Sequence, residues 1–102
     1  MLILPIKKEW FNMILSGKKK EEYREPKPYY TTRFKNVWNG SLLDCDTVKK
    51  EIVFRNGYNK NSPSFIASCT LDIGTGKEEW GAEPSKKYYI LRIHEITERK
   101  NC

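Results

Sequence analysis

One residue in two from Phe65 to Ile73 faces the same way in an extended chain: Phe65, Ala67, Cys69, Leu71 and Ile73 on one side, Ile66, Ser68, Thr70 and Asp72 on the other. A period of two with one apolar side is the pattern of a half-buried strand. A lone strand is not stable, so the chain must build a sheet over a core. Glu51 to Asn56 reads as a second strand, ended by Asn56-Gly57 and the polar turn Tyr58 to Ser64. Tyr88 to Ile96 is apolar on both faces, which places it centrally in a sheet or at the closure of a barrel. Leu2 to Ile6 is a further short apolar strand.

Two segments in the first half follow a helical period instead. Trp10, Phe11, Ile14 and Leu15 form one stripe, and Gly17 sits where a left-handed residue closes the last turn. Tyr30, Phe34, Val37 and Trp38 form another, with Pro26 and Pro28 ahead and Asn39-Gly40 behind; Phe34 and Trp38 are expected in the core. Ser41 to Lys50 gives mixed signals, with Leu42, Leu43 and Val48 as strand residues or loop anchors. Gly74 to Lys87 reads as a long loop pinned by Trp80. The expectation is an α+β fold: two helices in the N-terminal half and about five or six strands in a small, curled or barrel-like sheet. A chain of 102 residues has room for one core. We expect a single domain over 1–97 and a polar, frayed tail over 98–102.

Composition narrows the chemistry. Lys and Arg number 19 against 13 Asp and Glu, a net charge of +6, which makes a polyanion the first partner to consider. Cys45, Cys69 and Cys102 are odd in number and lack C-x-x-C spacing, which fits apolar fillers in a reducing compartment and neither a disulfide framework nor zinc. Met1 to Ile6 is too short for a secretory core or a membrane span, so a cytoplasmic location with no membrane partner is expected. His94 is the sole histidine, and it reads as a half-buried strand residue with one hydrogen bond; a two-histidine metal helix is excluded. No G-x-x-x-x-G-K-[ST] occurs, and Gly74-Thr75-Gly76 lacks the third glycine of a dinucleotide fingerprint. We therefore expect neither metal nor cofactor.

The segment Gly17 to Glu25, GKKKEEYRE, carries the strongest candidate site. Tyr23 favours a strand and Pro26 and Pro28 stop it, so a short polar strand is expected over Lys19 to Glu25. On such a strand Lys20, Glu22 and Arg24 share one face and Lys19, Glu21 and Tyr23 the other. Lys19 joins Glu22 and Arg24 only if the strand starts after it or bulges near Lys20 or Glu21. The triplet would then hold an ammonium, a carboxylate and a guanidinium in one cleft, with the carboxylate steadying the arginine fork. From the residues alone, Lys18 to Glu25 also reads as a solvated edge strand with charges paired to a neighbour.

Gly17-x-Lys19-x-x-Glu22-x-Arg24 matches GxKxxExR, the signature of the ASCH family, and the order of strand, helix, motif, helix and strands is similar too. Trp80-Gly81-Ala82 before the last strand resembles the small prophage-type members. The resemblance implies a PUA-like β-barrel and an RNA- or nucleotide-binding function in RNA metabolism. Lys19, Glu22 and Arg24 would be the ligand site, with Tyr23, Tyr29, Tyr30 or Trp80 stacking on bases. Some small bacterial members are amidohydrolases on acylated cytidine that use the motif lysine and a threonine; that threonine position is Glu22 here, which requires another mechanism. A ribonuclease would use Glu22 as general base, with Lys19 and Arg24 stabilising the phosphorane. The binding module, the hydrolase of modified nucleosides or RNA, and a non-catalytic structural or interaction module remain as three readings. A protein partner and the choice between monomer and dimer are left open.

Overall fold

The computed structural model describes all 102 residues, Met1–Cys102. Five strands and two α-helices form it in the order β1 (Ile3–Ile6), α1 (Lys8–Leu15), β2 (Glu21–Arg24), α2 (Pro28–Val37), β3 (Lys50–Asn56), β4 (Ser64–Thr75) and β5 (Lys87–Lys100). A single 3-10 turn, Glu78–Trp80, interrupts the loop before β5. The strands pair in the order β1-β3-β4-β5-β2; β1 runs parallel to β3 and every other pair is antiparallel.

The fold class is the expected α+β, but the sheet is open. No ladder joins β1 to β2, so the closed barrel implied by the resemblance is not what the backbone pairing describes. Pro5 gives a local reason: it lies on edge strand β1 and has no N–H to offer a further strand. The gap is instead crossed by a side chain, since Arg24 Nη2 on β2 donates to the Pro5 carbonyl at 2.9 Å. The two edges therefore lie within one arginine's reach, and the unpaired seam between them becomes the floor of the cleft described below.

β5 is the central strand of the second half, paired with β4 on one side and β2 on the other. It extends further than its apolar period suggests. Thr97 to Lys100 is not a frayed tail, because Ile66↔Glu98, Phe65↔Arg99 and Ser64↔Lys100 remain in register with β4. His94 and Thr97 are skipped in that register as bulges, which let a polar stretch stay paired while the strand bends. His94 is exposed rather than half-buried, and its Nε2 lies 2.8 Å from Thr70 Oγ1.

The core collects Leu4, Phe11, Ile14, Phe34, Trp38, Ile52, Phe54, Phe65 and Leu91, with Ala67, Cys69 and Leu71 from the alternating face of β4. Ile73, expected on that face, is 58% exposed: β3 pairs with β4 only as far as Cys69, so Ile73 has a strand neighbour on one side alone. Residues 41–49 form turns and are not a strand, and Lys50 already belongs to β3; the turns are tied down where Trp38 Nε1 donates to Val48 O at 2.7 Å and Leu71 N to Cys45 O at 2.8 Å. Burial pushes the Cys69 thiol up to about 12, in keeping with a small apolar filler. No helix is long and apolar enough to cross a membrane.

Candidate functional site

The site is assembled by the way α1 ends. Gly17 has φ 81°, Gly17 N donates to Ile14 O at 3.1 Å, and Lys18 N donates to Met13 O at 2.9 Å. Those two bonds close a Schellman motif around a left-handed glycine, and they turn the chain back under the helix. Lys19 N also reaches Met13 O, so Lys19 is pointed inward before the strand starts at Glu21. The strand thus begins after Lys19, and Lys19 joins Glu22 and Arg24 from outside the β alternation. The three neighbouring lysines differ sharply: Lys19 is 2% exposed, while Lys18 and Lys20 are at the surface.

Lys19 Nζ lies 3.0 Å from Glu22 Oε1 and donates to the carbonyl of Trp80. It also stands 4.3 Å from the centre of the Trp10 ring and 5.4 Å from that of Tyr23. Glu22 Oε2 accepts from Arg24 Nη1 at 2.7 Å, and the same nitrogen donates to Tyr23 O at 2.8 Å. The carboxylate therefore bridges two cations, and Arg24 pins β2 to β1. Burial pulls the Lys19 ammonium below its ordinary value, and the Glu22 carboxylate beside it opposes that pull. Burial likewise raises the Tyr23 phenol; its hydroxyl donates to Glu21 Oε1 at 2.7 Å and accepts from Lys77 N at 2.9 Å.

Above this charged floor opens a cleft of about 310 Å³. Lys19, Glu22, Tyr23, Arg24, Tyr30 and Trp80 all line it, so the structure brings together every proposed site residue except Tyr29. Trp80 both pins its loop and walls the cleft, its Nε1 donating to Lys18 O at 2.9 Å. Tyr29 is outside, with Arg33 stacked 3.5 Å over its ring. Trp10 and Tyr58, which sequence reasoning missed, complete the walls. Trp10 was hidden in the helical stripe, where Phe11 and Ile14 take the core and leave Trp10 facing the seam. Tyr58 lies in a polar turn with no periodic signal, and only the β3–β4 hairpin brings it to the cleft. The volume and the aromatic walls suit one small, flat, polar-edged group.

Gly76 supports the wall from behind. A Cβ there would stand 2.6 Å from Tyr23 Cζ and 2.8 Å from Ala82 Cβ, in the small cluster of Tyr23, Ala82, Tyr88 and Ile90. Gly76→Ala should therefore cost about 1–3 kcal/mol, read from urea melts of the two proteins. An unchanged midpoint would show that the loop shifts freely and does not brace Tyr23.

No protein-family model, curated protein or solved structure matches this chain. The functional reading therefore rests on the motif and on the geometry of the cleft.

Proposed function

We propose that the protein is an RNA- or nucleotide-binding module of ASCH type, with a PUA-like curled sheet whose seam holds one nucleotide unit. The observation that carries the reading is the cleft itself: the rings of Trp10, Tyr30, Tyr58 and Trp80 around the Lys19, Glu22 and Arg24 floor. Aromatic faces stack on bases without regard to sequence, and a fixed guanidinium and ammonium favour a polar base edge or a phosphate. The excess of 19 Lys and Arg over 13 Asp and Glu supports a polyanionic partner. The Arg24 bridge to Pro5 O supports the barrel-like curl, since it draws the two sheet edges together.

A second reading, a hydrolase of modified nucleosides or RNA, is favoured by one observation. Lys19 faces the cleft with its proton loosened by burial, which suits a base acting on water or on a ribose hydroxyl. Both Glu22 oxygens are engaged by cations, so Lys19 is the better candidate for that role than Glu22.

One screen separates the readings: unstructured RNA oligonucleotides and acylated nucleosides are incubated with the protein, and chromatography reads both retention and product. Retention that weakens steeply with salt, without product, is the expected result. Product that disappears in Lys19→Ala and Glu22→Ala variants would establish the hydrolase instead. If neither class of compound is retained or converted, the closed network of Lys19, Glu22 and Arg24 serves the fold alone.

A further inference from the structure

The back of the sheet carries a second cavity, of about 280 Å³, lined by Arg55, Arg99 and Lys100 over the apolar residues Ile3, Val53 and Ile66. Its three cations meet a single carboxylate, Glu98, and none of them takes part in an ion pair. Arg55 is the unusual member. Its Nε is sealed from solvent and has no hydrogen-bond partner, the one such side-chain atom in the protein. A desolvated guanidinium donor without an acceptor is a standing cost, and it is the kind of cost that an anionic ligand removes.

The strand register shows what could sit there. Pro5↔Arg55, Arg55↔Ser64 and Ser64↔Lys100 are direct partners, so these four residues form one row across β1, β3, β4 and β5 on a single face. Arg55 and Lys100 are two strand spacings apart, roughly 10 Å, with only the small Ser64 between them. That leaves an anion-sized space flanked by two cations with a hydroxyl beneath. The row's other end, Pro5, is already a wall of the aromatic cleft. Cleft and groove therefore adjoin along the β1 edge, and the whole row spans about 14 Å, three strand spacings.

We infer that the Arg55, Arg99 and Lys100 groove is a phosphodiester site, which holds the backbone of the same RNA strand whose neighbouring nucleotide occupies the cleft. The inference rests on the RNA-binding reading and extends it from one nucleotide to a track several nucleotides long. It makes the unpartnered Arg55 a binding residue kept at the expense of stability.

The test compares the parent protein with Arg55→Met, using uridine 5′-monophosphate and hexauridylate as probes, together with thermal melts. The expected result has four parts. Arg55→Met binds hexauridylate about tenfold more weakly, its plot of log affinity against log salt is shallower by about 0.7, its affinity for the mononucleotide is unchanged, and its melting temperature is equal or higher. If Arg55→Met binds hexauridylate as the parent does, the groove is no phosphodiester site, and the cleft reading stands. If it melts lower and binds both probes less well, Arg55 is structural and the inference is overturned. If the parent binds neither probe, the cleft reading and the inference fall together.

Discussion

Glu22→Ala should lose about 3–5 kcal/mol of folding stability at neutral pH, the largest effect expected of any change in the charged floor. The carboxylate is 4% exposed and is the only anion that touches the Lys19 ammonium and the Arg24 guanidinium. Its removal strands a lysine that is itself 2% exposed, and it frees the fork that ties β2 to β1. Glu22→Gln, which keeps an acceptor for Arg24 but no charge for Lys19, should fall between the two. The pH dependence has a definite sign. Lys19 is pulled below 10.5 in the folded protein, and loss of Glu22 removes the largest influence that raises it. Between the folded value and 10.5 the unfolded chain then holds more protons, so stability rises with pH. The variant's deficit should therefore shrink as pH climbs from 7 toward 10. Above 10 the raised Tyr23 phenol works in the opposite direction, because the unfolded chain loses that proton first. Urea melts at several pH values measure this, and a deficit that is small or that widens toward pH 10 would show that Lys19 does not depend on Glu22.

Trp10→Ala should weaken binding of a short single-stranded RNA by roughly ten- to a hundredfold, the effect of losing one stacked base at about 1–3 kcal/mol. Trp10 is placed for such a role on three sides. Its ring covers Lys19 Nζ, it walls the cleft, and a Cβ at Gly81 would come within 3.1 Å of its edge. Gly81 has φ 101°, so glycine serves that close approach in both space and backbone angle. Trp10→Phe keeps an aromatic face and should retain most of the affinity. Fluorescence anisotropy of a labelled oligonucleotide gives all three constants, and equal affinity for the alanine variant would remove Trp10 from the binding surface.

Local patterns in the chain made part of this legible. The alternation from Phe65 to Leu71 predicts the strand that carries the core, and Gly17 marks the helix end because only the left-handed region closes that turn. The motif is visible as spacing, but the burial of Lys19 is not: its acceptor is the Trp80 carbonyl, 61 residues away. The same holds for β5, whose polar end is held by register with β4 rather than by its own composition. Ile73 errs the other way, apolar and in phase yet past the end of the β3–β4 pairing. The open seam depends on which strands become edges, and Arg55 and Tyr58 gain meaning only from the β3–β4 hairpin, so neither could be read from a local period.

Three tryptophans offer the most direct test of the central claim, that the seam between β1 and β2 binds an RNA nucleotide. Trp10 and Trp80 wall the cleft, while Trp38 is buried in the core with its Nε1 donating to Val48 O at 2.7 Å. In a ¹H–¹⁵N NMR titration with hexauridylate, the indole signals of Trp10 and Trp80 should shift saturably, together with the amides of Glu22 to Arg24, while the Trp38 indole stays in place. Signals that stay fixed throughout, or shifts that leave Trp10 and Trp80 untouched, would contradict it.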